Sequence, residues 1–268
     1  MSIKEKILWL GLLLSVLVII GNSVLDIFTV SEPIPHSIVL GLPVMVVLIH
    51  MNLALSIKRA LIFIILVSSV GYFAETLGVR YGIIFGGFYE YQMGGPYVGV
   101  VPLSVILYWN VFIYMGYCMV SLIFRNQNPG NLRKLFVQII CDGLIVTSID
   151  LFMDPIQVSQ GNWFWINGGK YFNVPLLNFT GWFLVTILVT GVFRLWEYLY
   201  PKNQNYHYSL KLIPVIGYFM VIIGFTALAF KQQLINLILI GNGIMLPILC
   251  LCLVVYFKNN PTYNTRSG

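Results

Sequence analysis

Asp150 and Asp154 stand four residues apart where an apolar run ends. A loop rich in glycine and aromatic residues follows, and then Asn178 and Trp182 open the next apolar run. Three of the chain's six tryptophans, Trp163, Trp165 and Trp182, fall in this 148–182 stretch. These residue types suit cation chemistry: an acid can protonate an alkene, aromatic faces can hold the cation, and an amide can place a water. A D-x-x-x-D pair can also hold Mg²⁺ for a diphosphate, because hard cations take carboxylates. A diphosphate would also need several Lys or Arg around it, and this part of the chain lacks them. On a continuous helix the two aspartates share a face. Pro155 disfavours helical geometry at the residue before it, which places Asp154 at a helix end, reaching across a pocket.

Elements embedded in a bilayer must position these groups. Hydrophobic residues make up 59% of the 268 and charged ones 9%, against roughly a quarter charged in soluble domains. That excludes an ordinary soluble domain and predicts an all-α polytopic membrane protein. About 20 apolar residues cross a bilayer, and eight such runs occur, at about 7–28, 37–56, 60–78, 101–124, 134–152, 179–199, 211–230 and 234–257. Residues 1–258 thus read as one membrane domain and 259–268 as a cytoplasmic tail. The first run lacks a small-residue cleavage pattern and reads as a retained span. The last two runs, separated by Lys231-Gln232-Gln233, read as a tight helical hairpin. With the N-terminus inside, the inner segments hold Lys4, Lys6, Lys58, Arg59, Arg125, Arg133, Lys134, Arg194, Lys202, Lys211, Lys258 and Arg266. The outer segments hold Arg80, Lys170 and Lys231. This bias predicts a multi-pass protein of the cell membrane with both termini cytoplasmic. It also accounts for the net charge of +6 as a topology signal, with no nucleic-acid partner implied. Cys118, Cys141, Cys250 and Cys252 lie inside apolar runs without zinc-ligand spacing and read as small buried hydrophobes.

The acids lean the other way. Glu75 lies about 15 residues into the third run and Asp150 about 16 into the fifth, so both sit roughly 22–25 Å from the inner helix ends. A carboxylate in hydrocarbon must pair, line a wet cavity or take up a proton, and on that side only Arg80 and Lys170 are at hand. Asp142, lying deeper, is expected to support the pocket or relay protons. Glu5 and Glu197 read as cytoplasmic, and Asp26, Glu32 and Glu90 as interfacial acids facing water. Tyr and Trp at such a boundary also serve as plain membrane anchors. His36 and His50 read as structural, and His207 as part of a loop. A partial repeat links the acids: G-G-P-Y-V-G-V-V-P-L (94–103) after Glu75 and G-G-K-Y-F-N-V-P-L (168–176) after Asp150. Spans three–four and five–six then read as parallel repeats with a site at their interface, Glu75 and Asp150 being counterparts. The two long aromatic loops are expected to fold back over the span ends as caps or re-entrant segments.

The chain resembles the membrane-bound carotenoid biosynthesis proteins that include carotenoid hydratases of the bisanhydrobacterioruberin hydratase type. The resemblance lies in E-T-L-G-V-R-Y-G-I-I-F-G-G-F-Y-E-Y (75–91), V-P-L-S-V-I-L-Y-W (101–109), D-L-F-M-D-P (150–155), W-F-W (163–165) and Y-F-N-V-P-L-L-N-F-T-G-W (171–182). It implies addition of water across the terminal isoprenoid double bond of a linear carotenoid or related isoprenoid lipid, giving a tertiary alcohol without a cofactor. Other carotenoid-pathway enzymes would be its partners. In this reading Asp150 or Asp154 protonates the alkene. Glu75, with Asn178, positions the water and takes its proton, while Tyr89, Tyr91, Trp163, Trp165 and Trp182 wall the cation. Two alternatives stand beside it. A prenyltransferase like a lycopene elongase would need a second Asp-rich motif. A proton-coupled transporter using Glu75 and Asp142 would need acids spread through the membrane depth.

Overall fold

The computed structural model describes residues 2–28, 36–124, 131–201 and 207–259. Glu32, Arg125, Lys202, Arg266, tail residues 260–268 and the side chains of Asp26 and His36 lie outside the described residues. Among the described residues, eight helices are long and apolar enough to cross a membrane: α1 (Ile3–Phe28), α2 (His36–Leu55), α3 (Ile57–Tyr81), α4 (Leu103–Ile123), α5 (Leu132–Ser159), α6 (Leu176–Leu199), α7 (Ile213–Lys231) and α8 (Ile235–Lys258). The protein is an all-α polytopic membrane protein. Outward-facing Leu10, Leu13 and Leu17 of α1 are exposed, as expected where lipid is the solvent.

α4 is the central helix. Its apolar stretch is 67% buried, against 22% for α1 and α8, and it touches α2, α3, α5, α6, α7 and α8. α5 packs along α6 and against α8, while α1, α2 and α7 form a flank with a small core of its own around Leu8, Leu12, Val46, Leu210 and Ile213. The expected α7–α8 hairpin is present, with Gln233 at φ 58 in its turn.

The two long loops do more than cap the spans. β1 (Tyr89–Tyr91) of the first loop pairs antiparallel with β4 (Trp163–Trp165) of the second, with Tyr89 opposite Trp165 and Tyr91 opposite Trp163. Between them in the chain lies a second ribbon, β2 (Tyr97–Val98) with β3 (Val101–Pro102). Side chains alternate across a strand, so Glu90 and Phe164 face out, while Tyr89, Trp163 and Trp165 are buried and Tyr91 is partly so.

The repeat is structural. α4 and α6 both start behind a proline in extended geometry, Pro102 at φ −60, ψ 138 and Pro175 at φ −65, ψ 139. Each carries a tryptophan six residues after the leucine of its Val-Pro-Leu. Those two, Trp109 and Trp182, stack with centroids 3.7 Å apart and planes at 17°. The antiparallel β1–β4 pair and this stack fit a local two-fold relation between α3–α4 and α5–α6.

Two sequence-based expectations fail. Pro155 does not end α5, which continues to Ser159. A proline removes the N–H that would have bonded to the carbonyl four residues back, here Leu151, and the Tyr171 hydroxyl donates to that carbonyl at 3.1 Å. The loop thus supplies the missing donor, and Asp150 and Asp154 stay on one helical face. Asp142 does not support the pocket either. It accepts two hydrogen bonds from Arg194, Nε to Oδ2 at 2.6 Å and Nη2 to Oδ1 at 2.7 Å. α5 and α6 run antiparallel, which brings a residue early in one beside a residue late in the other. Arg194 also donates to the Tyr117 carbonyl. Glu197 joins the same cluster, taking a 2.5 Å hydrogen bond from Tyr117 and an ion pair from Arg59 at 3.2 Å.

Candidate active site

At the loop end of the bundle α3 brings Glu75, α5 brings Asp150 and Asp154, and α6 brings Asn178, all buried. Two different carboxyl centres result. Glu75 accepts three hydrogen bonds: from the Tyr89 and Tyr91 hydroxyls to Oε2 at 2.5 and 2.7 Å, and from the Trp109 indole to Oε1 at 2.9 Å. Tyr89 reaches it because Gly78 lies one turn further along α3. A Cβ there would come within 2.6 Å of the Tyr89 hydroxyl.

The second centre is a pair. The Asn178 amide donates to Asp150 Oδ2 at 2.9 Å and to Asp154 Oδ2 at 2.5 Å. One nitrogen thus holds the two carboxyl groups side by side. Asp150 Oδ1 has no donor turned toward it among the described residues. Of the two aspartates it is Asp154 that lines one cavity with Glu75 and Trp163.

A cavity of about 20 Å³ lies between the two centres, roughly enough for one water molecule. Glu75 and Asp154 line it from opposite halves, with Asn178, Tyr89, Tyr91, Trp163, Trp165 and Trp182. Asp150 stands behind Asp154 and does not line it. Four residues that the sequence reading passed over complete the wall: Phe85, Val105, Tyr108 and Met153. Trp109 was also missed, although it lies in the quoted V-P-L-S-V-I-L-Y-W block and extending the repeat to the tryptophan would have found it. Asn178 lines the cavity with its amide nitrogen already taken by the aspartates, which leaves its side-chain oxygen to accept from a water.

The β1–β4 ribbon closes the cavity from the loop side. Its inward aromatics pack crosswise, Tyr89 on Trp165 at 5.4 Å and Tyr91 on Trp163 at 5.7 Å. The Trp165 indole donates to the Phe85 carbonyl at 2.9 Å. Burial, and then the nearby charge of Glu75, push the Tyr89 and Tyr91 phenols well above their ordinary range, so both stay hydrogen-bond donors. Arg80 and Lys170 are exposed, and neither lines the cavity.

Comparison with known proteins sets this geometry in a family. Neither the curated proteins nor the solved structures yield a match to this chain. The sequence profile of the carotenoid biosynthesis proteins matches residues 35–249, which includes every residue of the two carboxyl centres and the ribbon above them. The chain belongs to the carotenoid biosynthesis protein family.

Proposed function

We propose that the protein hydrates the terminal isoprenoid double bond of a linear carotenoid, or a closely related isoprenoid lipid, to a tertiary alcohol. The observation that carries this reading is a water-sized cavity with an amide-bridged aspartate pair on one side and a carboxyl group held by three donors on the other. Asp154 in its protonated form gives its proton to the inner CH carbon of the terminal double bond, and the tertiary cation forms on the outer, dimethyl-bearing carbon. The faces of Trp163, Trp165 and Trp182 and the carboxylate of Glu75 stabilise the cation. Water adds to the cationic carbon and the resulting oxonium gives its proton to Glu75. A second water in the emptied cavity returns that proton to the aspartate pair, so the net change is alkene plus water to alcohol. Asn178 aligns the pair, and Asp150 stands behind Asp154. A diphosphate-dependent prenyl transfer fits less well, because no lysine or arginine lines the cavity among the described residues.

The test is expression in a host that makes linear carotenoids, followed by mass spectrometry of the pigments. Wild-type protein is expected to add one water per reacted end. Asp154→Asn should cut the yield about 10²–10⁴-fold, the usual worth of a positioned acid or base, and Glu75→Gln similarly. Asp150→Asn should lose less, since it does not face the cavity. Unchanged product in all three variants would overturn the assignment.

A further inference from the structure

At about 20 Å³ the cavity holds a water but not the end of an isoprenoid chain, so part of its wall must move. Most of that wall is tied down. The tyrosines of β1 are bonded to Glu75, Trp165 of β4 to the Phe85 carbonyl, and Asn178 to both aspartates.

Tyr108 on α4 differs. It lines the cavity, yet its hydroxyl has no hydrogen-bond partner among the described residues. Its ring is held by stacking on Phe112 one turn along, with centroids 5.6 Å apart and planes at 7°. Tyr108 also lies on the stripe Ser104, Leu107, Tyr108 and Val111, which is the partly uncovered side of a helix otherwise sunk in the core. At five residues from Leu103 it sits roughly 8 Å below the loop end of the helix, at hydrocarbon depth. Beside it Met153, an unbranched and adaptable side chain, also lines the cavity. Apart from Tyr108, the only cavity-lining side chain among the described residues that is not fully buried is Tyr91, in the ribbon at the loop surface.

We propose that the cavity has two mouths. Tyr108 is a swinging door through which an apolar isoprenoid end enters sideways from the membrane, and the edge of the ribbon at Tyr91 is the water entrance. This separates the two reactants by solvent: the chain never leaves hydrocarbon, and the water never crosses it. The proposal takes its ligand from the hydration reading, but the route does not depend on that reaction.

The experiment uses the full chain in lipid nanodiscs. An achiral linear polyene with isopropylidene ends is delivered from vesicles, and uptake is followed by the circular dichroism that such a polyene acquires in a chiral site. Tyr108→Ala should speed uptake and Tyr108→Trp should slow it about tenfold, as expected when a gate limits access. Leu144→Trp, on the exposed face of α5, should leave it unchanged and controls for bulk at the lipid surface. Equal uptake in wild type, Tyr108→Ala and Tyr108→Trp would overturn the portal, as would the absence of any induced signal in wild type. Uptake that responds to Tyr108 while wild type forms no water adduct would leave the portal standing and remove the hydration reading.

Discussion

Glu75 and Asp154 face one cavity and are buried alike, but their neighbours differ. Three donors converge on Glu75 and fix both of its carboxyl oxygens in place. Asp154 instead shares its donor, Asn178, with a second carboxyl group, that of Asp150. The tyrosine donors give a measurable handle. Loss of the Tyr91 hydroxyl in Tyr91→Phe removes one hydrogen bond to a charged group, worth about 1.5–3 kcal/mol, or roughly ten- to a hundredfold in rate. Because burial and the charge of Glu75 raise the phenol above its ordinary value, its neutral, donating form persists as pH rises. The ratio of wild-type to Tyr91→Phe hydration should therefore stay flat from about pH 6 to about pH 10, the ordinary tyrosine value. A ratio falling to one within that range, measured on protein in nanodiscs, would show that the phenol ionises early and that the account of Glu75 is wrong.

At the scale of elements, a helix with a proline inside it and a loop behind it act as one unit. The Leu151 carbonyl lacks its helical donor because of Pro155, and Tyr171 supplies one. Tyr171→Phe should therefore cost about 1–3 kcal/mol, the penalty for a buried acceptor left unmade. In a Pro155→Ala background the restored N–H should bond to Leu151, and the same tyrosine change should cost little. Thermal unfolding of the double-mutant cycle in detergent measures that coupling. Equal penalties in both backgrounds would mean that Tyr171 does not serve the helix break. The ribbon shows a signal that was present but unread. Tyr-Glu-Tyr and Trp-Phe-Trp alternate with the period of a strand, and in both the middle residue is the exposed one. Each run is three residues long, and a two-stranded ribbon is marginal alone. Only the acids beneath it and the partner loop make it form.

For the whole molecule, the buried charged groups described on α5 and α6 divide into two clusters. The one around Arg194 and Asp142 is internally satisfied and does not touch the cavity. Breaking a buried pair from one side costs about 3–5 kcal/mol, whereas replacing both partners by apolar residues is often neutral. Asp142→Leu or Arg194→Leu alone should thus lower the folded yield in membranes, measured by size-exclusion chromatography, and the double change should recover most of it. A double variant as unstable as the worse single one would point to a role for the cluster beyond pairing. The sequence alone determined the number of spans and which stretches carry the acids and aromatics, because composition and run length answer directly to the bilayer. It determined the repeat in outline, from a few shared letters. Which acid faces the cavity, which cation neutralises Asp142 and where the aromatics point were decided only by tertiary packing. These depend on the antiparallel register of α5 with α6, on the pairing of loops about 75 residues apart, and on a tyrosine standing in for a missing N–H. Such relations join residues distant in the chain, and no local pattern encodes them.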